Sequence, residues 1–299
     1  TELQNKLILI EDLDGAESVL YPLRELQTKK RITKTVVHKD TKGTTRTIHL
    51  TVEGPVSVAG CTTQESIYED NSNRSFLLYI DESEAQDQNI MNYQRKLSAG
   101  KVNETEEHKA KELLKNVQRL LKPIKVINPF AEYLELPKSV FKPRRTNSHY
   151  LQFIEAITFY KQYQREKQYD KQTGEEYIET TIEDIQEANS LMQNVLLRKS
   201  DVLNGACRSF FEMLKTYLKV NQLTTFTNAE IRRTLRINPS NQKRYMLQLQ
   251  LAEFVQKAKG DKRKGYQYEV VTYEDYKNTN TQIQTLLSNT IESLKDQSS

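Results

Sequence analysis

The sequence predicts an α/β body followed by helices and a basic helix-and-strand module. Three observations predict it. Short apolar runs in the first 80 residues have the length of buried strands, and longer stretches after residue 100 carry apolar side chains at helical spacing. Residues 203–272 hold 13 Lys/Arg against 5 Asp/Glu, a local +8 in a chain whose net charge is only +4.

Composition narrows the classes. With 299 residues the chain is long enough for two or three domains. Hydrophobic content of 36%, charged content of 28% and mean hydropathy of −0.74 fit a soluble protein with many exposed charged helices, and the cysteine usage makes a reducing cytoplasm the default compartment. No run of about 18 apolar residues is present, so no membrane partner is expected, and no signal peptide is visible. Cys61 and Cys207 form no CxxC and have no His cluster near them. Neither zinc nor a disulfide framework is expected. A chain that opens directly into a strand reads as a fragment beginning partway through a domain.

The first strand is Leu7-Ile8-Leu9-Ile10, followed at once by Glu11-Asp12. Four apolar residues ending in two carboxylates predict a buried parallel strand with acids at its C-terminal edge, where open α/β sheets bind their ligands. Residues 16–30 read as a short helix with Val19, Leu20, Leu23 and Leu26 near one face. Alternating residues over 36–52, with Asp40-Thr41-Lys42-Gly43 as a turn signal, predict a β-hairpin with a basic tip. Val56–Gly60, ending in Cys61-Thr62-Thr63, and Phe76–Ile80 are two more buried-strand candidates. Strands separated by helices or insertions fit a mostly parallel sheet.

Helices follow. Asn103 with Glu106 matches a capping box ahead of Ala110, Leu113, Leu114, Val117, Leu120 and Leu121. A second helix is expected over 146–168, with Tyr150, Phe153, Ile154, Ile157 and Tyr160 on one packed stripe. A linker at 170–174 and a third helix over 181–199 complete this section. The end of the chain then reads helix (204–219, Phe210, Phe211, Leu214 and Leu218 inward), short helix (227–236, capped by Thr227 with Glu230) and helix (from Asn238-Pro239 to Leu251). Strands over 254–259 and 266–271 flank the turn Gly260-Asp261-Lys262-Arg263-Lys264-Gly265. Helix, helix, helix, strand, basic turn, strand is the order of a winged helix-turn-helix. A last amphipathic helix is expected over 281–294.

Taken in order, these features resemble the P-loop ATPase engines of superfamily 3 and minichromosome maintenance helicases. Lys6–Gly15, Gly54–Thr63 and Asn71–Phe76 look more closely like the C-terminal half of primase–helicases carried by bacterial mobile elements. Two departures stand out. No GxxxxGK[ST] phosphate loop occurs in the chain, and the acid pair reads Glu-Asp where the usual order is Asp-Glu. The resemblance implies a partial P-loop NTPase (AAA+-like) core over 1–125 with the hairpin 36–52 inserted. It implies a helical lid over 126–200, a winged helix over 201–275 and a tail over 276–299.

It also implies roles. Glu11 and Asp12 would hold Mg²⁺ and orient the attacking water on ATP. Their bland alternative is an acidic turn, with Asp12 or Asp14 capping the next helix. Thr62 or Thr63 would be the polar sensor beside the γ-phosphate, or else a local helix cap. Arg74 would be an arginine finger reaching a neighbouring subunit of a homo-oligomeric ring, and Arg144 and Arg145 candidates for a second nucleotide sensor. Lys39, Lys42 and Arg46 would track single-stranded DNA. Asn241, Gln242, Lys243 and Arg244 fall on the helix that would meet base edges of duplex DNA, with Lys262, Arg263 and Lys264 on phosphates. The expected function is that of the C-terminal part of a DNA-dependent ATPase. A replicative helicase or primase–helicase of a mobile element comes first. A non-enzymatic DNA-binding initiator or regulator on a degenerate ATPase scaffold is the alternative.

Overall fold

The computed structural model describes residues 3–39, 45–62, 75–76, 78, 80–81, 84–261 and 265–298. The chain divides into two compact units, residues 1–74 and 75–299. The division falls inside the stretch from which the sequence predicts a single core over 1–125.

The first unit is a small α/β arrangement. Strand β1 (Lys6–Ile10) leads through a 3-10 turn (Asp14–Ala16) into α1 (Glu17–Lys29). The antiparallel hairpin β2 (Arg31–Lys39) and β3 (Thr45–Glu53) follows, then β4 (Val56–Gly60). β1 and β4 pair in parallel, from Lys6 opposite Val56 to Ile10 opposite Gly60. Lys30 turns the chain out of α1 with a left-handed backbone (φ 57°), and its carbonyl accepts from the Gly54 amide at 2.7 Å. The two faces of the parallel pair differ. Ile8, Ile10, Val56 and Val58 are buried or half-buried on one face, and Leu26 of α1 is only 2% exposed. Leu7 and Leu9, on the other face, are 63% and 72% exposed. The apolar run thus forms the expected parallel strand, but among the described residues one of its faces is uncovered.

The second unit begins with two largely exposed helices, α2 (Glu84–Ser98) and α3 (Glu104–Leu120). Asn103 caps α3 as expected, its side-chain oxygen accepting from the amides of Thr105 and Glu106 at 3.1 and 3.3 Å. Next come β5 (Lys125–Ile127), α4 (Pro143–Tyr160), β6 (Gln168–Tyr169), β7 (Glu176–Glu179) and α5 (Ile182–Ser200). β5 pairs in parallel with β7, and β6 pairs antiparallel with it. The remainder is α6 (Gly205–Val220), β8 (Thr225–Thr227), α7 (Asn228–Thr234), α8 (Pro239–Leu251), β9 (Val255–Asp261), β10 (Gly265–Val270) and α9 (Asp275–Ser298). β8, β10 and β9 form an antiparallel sheet with β10 in the middle.

Two apolar clusters hold this unit. Tyr150 and Ile154 of α4 and Ile185, Ala188, Met192 and Leu196 of α5 pack with Ile283, Leu287, Ile291 and Leu294 of α9. The stretch expected as a tail is therefore a core helix, packed back onto the section expected as a lid. The second cluster centres on Phe210, Phe211, Leu214 and Leu218, the four side chains that the spacing turns inward, with Phe226, Ile231, Met246, Leu249 and Tyr268. Full burial of such a side chain contributes roughly 1.5–3 kcal/mol.

Several expectations need correction. Phe76, Leu78 and Ile80 are not in a strand, and Leu78 and Ile80 are exposed, so no third buried strand forms from the described residues of 76–80. The helix expected over 146–168 runs from Pro143 to Tyr160, because Pro143 suits the first turn. Tyr150 is core, but Tyr160 is 53% exposed and accepts a hydrogen bond from Gln118 at 2.9 Å. The supposed linker at 170–174 is a tight turn between β6 and β7, where Asp170 accepts from the amides of Gln172 and Thr173. Gly260, at φ 103°, has room for no side chain: a Cβ there would lie 2.1 Å from the Gly265 carbonyl oxygen.

Candidate functional site

The parallel register decides what meets at the end of the first sheet. With Ile10 opposite Gly60, Glu11-Asp12 and Cys61-Thr62 leave the two strands side by side. Two backbone bonds continue the pairing: the Cys61 amide donates to the Ile10 carbonyl at 3.1 Å, and the Leu13 amide to the Cys61 carbonyl at 2.9 Å. Gly60 permits this closure, since a Cβ there would come within 2.8 Å of the Leu13 side chain. Glu11, Asp12 and Thr62 are all exposed. Asp12 Oδ2 leans over the 3-10 turn, 3.5 Å from where a Cβ on Gly15 would stand. Ala16 stands at the N-cap of α1 and makes no side-chain cap bond. Thr63 and Arg74 lie outside the described residues.

Two carboxylates and a hydroxyl are hard oxygen donors. They fit Mg²⁺, which binds through one or two carboxylates and keeps several waters. A nucleotide's β- and γ-phosphates need a cradle of backbone amides, and the sequence carries no phosphate-loop motif to supply it. The fit is thus to the metal side of a nucleotide site. Among the described residues no group of three or more His, Cys, Asp or Glu could hold a metal ion.

The described residues of the hairpin, 31–37 and 45–53, are nearly all exposed. Thr33 and Thr51 share a hydroxyl hydrogen bond, and Thr35 bonds His49 Nδ1 at 3.0 Å. Arg46 stands opposite His38, and Lys39 opposite Thr45, so the two cations occupy successive, opposite-parity register positions. Lys42 lies outside the described residues.

In the second unit, Arg144 is exposed in the first turn of α4 and Arg145 is half-buried. Arg145 stands near His149, one turn further on, and near Lys199 at the end of α5. Burial, the Lys199 charge and the Arg145 charge, in that order, hold the His149 pKa below its usual value. Burial and then the Arg145 charge lower Lys199. His149 and Lys199 are residues that sequence reading misses, because 50 residues separate them.

On α8, Asn241, Lys243 and Arg244 are exposed, with the Arg244 guanidinium 5.3 Å from the Tyr245 ring centre. Gln242 is a correction. It is 4% exposed and donates to the Asn228 carbonyl at 2.7 Å, tying α8 to α7, so it cannot reach a base edge. Arg232 and Arg233 in the last turn of α7, and Arg236 just beyond it, are exposed. The local positive charge is the sequence signal that points to these three. Lys262, Arg263 and Lys264 lie outside the described residues.

Comparison with known proteins bears on the first of these regions. Residues 5–123 match the family model described as the MTBMA_p00010 P-loop domain. The match runs from the start of β1 through α3, so this stretch is a P-loop NTPase-like region with a nucleotide-binding type of fold. Among curated proteins none matches the chain. Among the described residues no helix is long and apolar enough to cross a membrane.

Proposed function

We propose that the chain is the C-terminal part of a DNA-dependent ATPase, a helicase or primase–helicase acting in the replication of a mobile element. The observation that carries the reading is the register of β1 and β4, which sets Glu11, Asp12 and Thr62 at one sheet edge inside the P-loop match. In this reading Glu11 and Asp12 hold Mg²⁺. The ion supplies positive charge against the developing negative charge on transferring phosphoryl oxygens. Thr62 or Thr63 senses the γ-phosphate, Arg74 serves a neighbouring subunit of a ring, and Arg144 and Arg145 are candidates for a second sensor.

The order α6, β8, α7, α8, β9, β10 supports a winged-helix reading of residues 201–275, with α8 as the recognition helix. Asn241, Lys243 and Arg244 would face duplex DNA, joined by Arg232, Arg233 and Arg236, and Lys262, Arg263 and Lys264 would touch phosphates. The hairpin carrying Lys39, Lys42 and Arg46 would track a single strand, and residues 126–200 would act as the lid.

Titration of the full chain with fluorescent duplex DNA tests the nucleic-acid half. Affinity should fall steeply between about 50 and 200 mM salt, and Lys243→Ala should lower the slope of log K against log salt by about 0.9. Absence of DNA binding at low salt would overturn this half. The missing phosphate-loop motif favours a second reading, a non-enzymatic DNA-binding initiator or regulator on a degenerate ATPase scaffold. Arg74→Ala separates the two. It should abolish hydrolysis by assembled rings while sparing ATP binding in the first case, and change nothing in the second.

A further inference from the structure

Most half-buried or buried cations of the second unit have acid partners. Arg208 meets Asp201 at 2.6 Å, Asp275 at 2.8 Å and Glu212 at 3.3 Å. Lys215 meets Glu212 at 2.7 Å, and Lys161 meets Asp184 at 3.0 Å and Glu187 at 2.6 Å. Arg165 also bonds Asp184.

Arg145, His149 and Lys199 break this pattern. Lys199 Nζ stands 3.4 Å from His149 Nδ1, and among the described residues none of the three has a carboxylate within ion-pair distance. All three are half-buried. The arrangement is fixed by its surroundings. The Phe141 amide donates to the Lys199 carbonyl at 2.7 Å and Thr146 Oγ1 to the Phe141 carbonyl at 2.9 Å, which clamps the start of α4 to the end of α5. The Phe76 ring lies 5.4 Å from the imidazole and 5.6 Å from Phe153.

Like charges partly withdrawn from water and close enough to act on one another are costly unless a counter-charge joins them. Among the described residues none does, and the donors suit an oxyanion. A charged Lys199 donates to His149 Nδ1, which leaves the imidazole proton on Nε2 as a further donor. Arg145 adds a planar fork that matches two oxygens of a tetrahedral anion, and Lys199 a point charge. We propose that Arg145, His149 and Lys199 form a binding site for a phosphate group. The site lies wholly within residues 75–299; it shares Arg145 with the second-sensor reading but does not require that reading or nucleotide hydrolysis at the first sheet. Its phosphate could come from the free ion, a nucleotide or a DNA backbone.

His149 is its own reporter. Arg145 on its own helix and Lys199 on α5 are the charged groups acting on it, and the Phe76 ring that covers it is neutral. In proton NMR of the full chain, with the resonance assigned through His149→Gln, the His149 titration midpoint should rise by about one unit when phosphate replaces chloride at equal ionic strength. Lys199→Met should remove the response, and Lys199→Arg should retain it. Inorganic phosphate, ATP and duplex DNA are compared as separate probes. Saturation by phosphate alone assigns the free ion, a roughly tenfold tighter response to ATP or to DNA assigns that source, and each supports the site. An unchanged midpoint with all three probes, or an equal shift in Lys199→Met, would overturn it. DNA affinity through Lys243 is read separately, so failure of this site and failure of the functional reading are distinguishable.

Discussion

The β1–β4 pair and the α6–α8 bundle start from similar sequence signals and end in opposite environments. Leu7 and Leu9 sit in an apolar run as strong as any in the chain, yet they are exposed. Phe210, Phe211, Leu214 and Leu218 are essentially fully buried, closed in by α7, α8 and the β8–β10–β9 sheet. An apolar pattern fixes which residues share a face. Whether that face is buried depends on a second layer, and parallel sheets are stable with both faces covered. Among the described residues the first unit supplies one covering helix, while the second unit surrounds its apolar faces.

The largest expected effects test this contrast directly. Phe211→Ala should destabilise the second unit by about 3–5 kcal/mol in urea unfolding. Leu9→Ala should change the first unit's stability by about 0.5 kcal/mol or less, as exposed substitutions do. Equal losses would break the comparison. Arg208→Met comes next. It leaves the buried Asp201 without its ion partner and Asp275 with only a 3.6 Å contact to Lys215, and should cost about 3 kcal/mol or more. The same substitution at Arg46, on the exposed hairpin, should be close to neutral.

A third prediction concerns acid. Burial opposes ionisation of Asp184, but hydrogen bonds from Arg165, Lys161 and the Thr181 amide outweigh it and hold the carboxyl below its usual range. A depressed folded pKa means stability that is complete above the unfolded carboxylate range near pH 4 and lost as pH falls through the folded value. Asp184→Asn should cost about 2 kcal/mol at neutral pH and flatten the acid limb of the stability curve. An unchanged acid limb would show that the network contributes nothing through charge. A fourth, smaller effect than the losses at Phe211, Arg208 and Asp184 has the opposite sign. Lys199→Met should stabilise the chain by about 1 kcal/mol in chloride at neutral pH, since it removes a half-buried cation that feels the Arg145 charge. That gain should shrink as pH rises through the lysine's lowered pKa, where the native side chain sheds its own charge.

The candidate sites were legible to different depths. The acid pair and Thr62 were readable because each ends an apolar run, and a parallel register carries both ends to the same edge. Lys243 and Arg244 were readable as an exposed basic stretch of a helix opened by Pro239. Gln242 was misread beside them, because one helical step of 100° separates a surface position from the one that reaches the Asn228 carbonyl. Tyr160 was misread for the same reason, at the end of a stripe whose covering stops before it.

By itself the sequence determined what short-range chemistry controls. The Thr227–Glu230 capping box, the Asn103 cap, Pro239 at the start of α8 and the inward stripe of α6 all follow from neighbours a few residues apart. Only the tertiary structure decided which charges meet and which apolar faces are covered. Arg208 finds Asp275 across 67 residues, α9 returns to α5, and Lys199 comes to rest beside His149 rather than an acid. Those outcomes depend on the packing of whole elements, and local spacing carries no information about a partner that another part of the chain delivers.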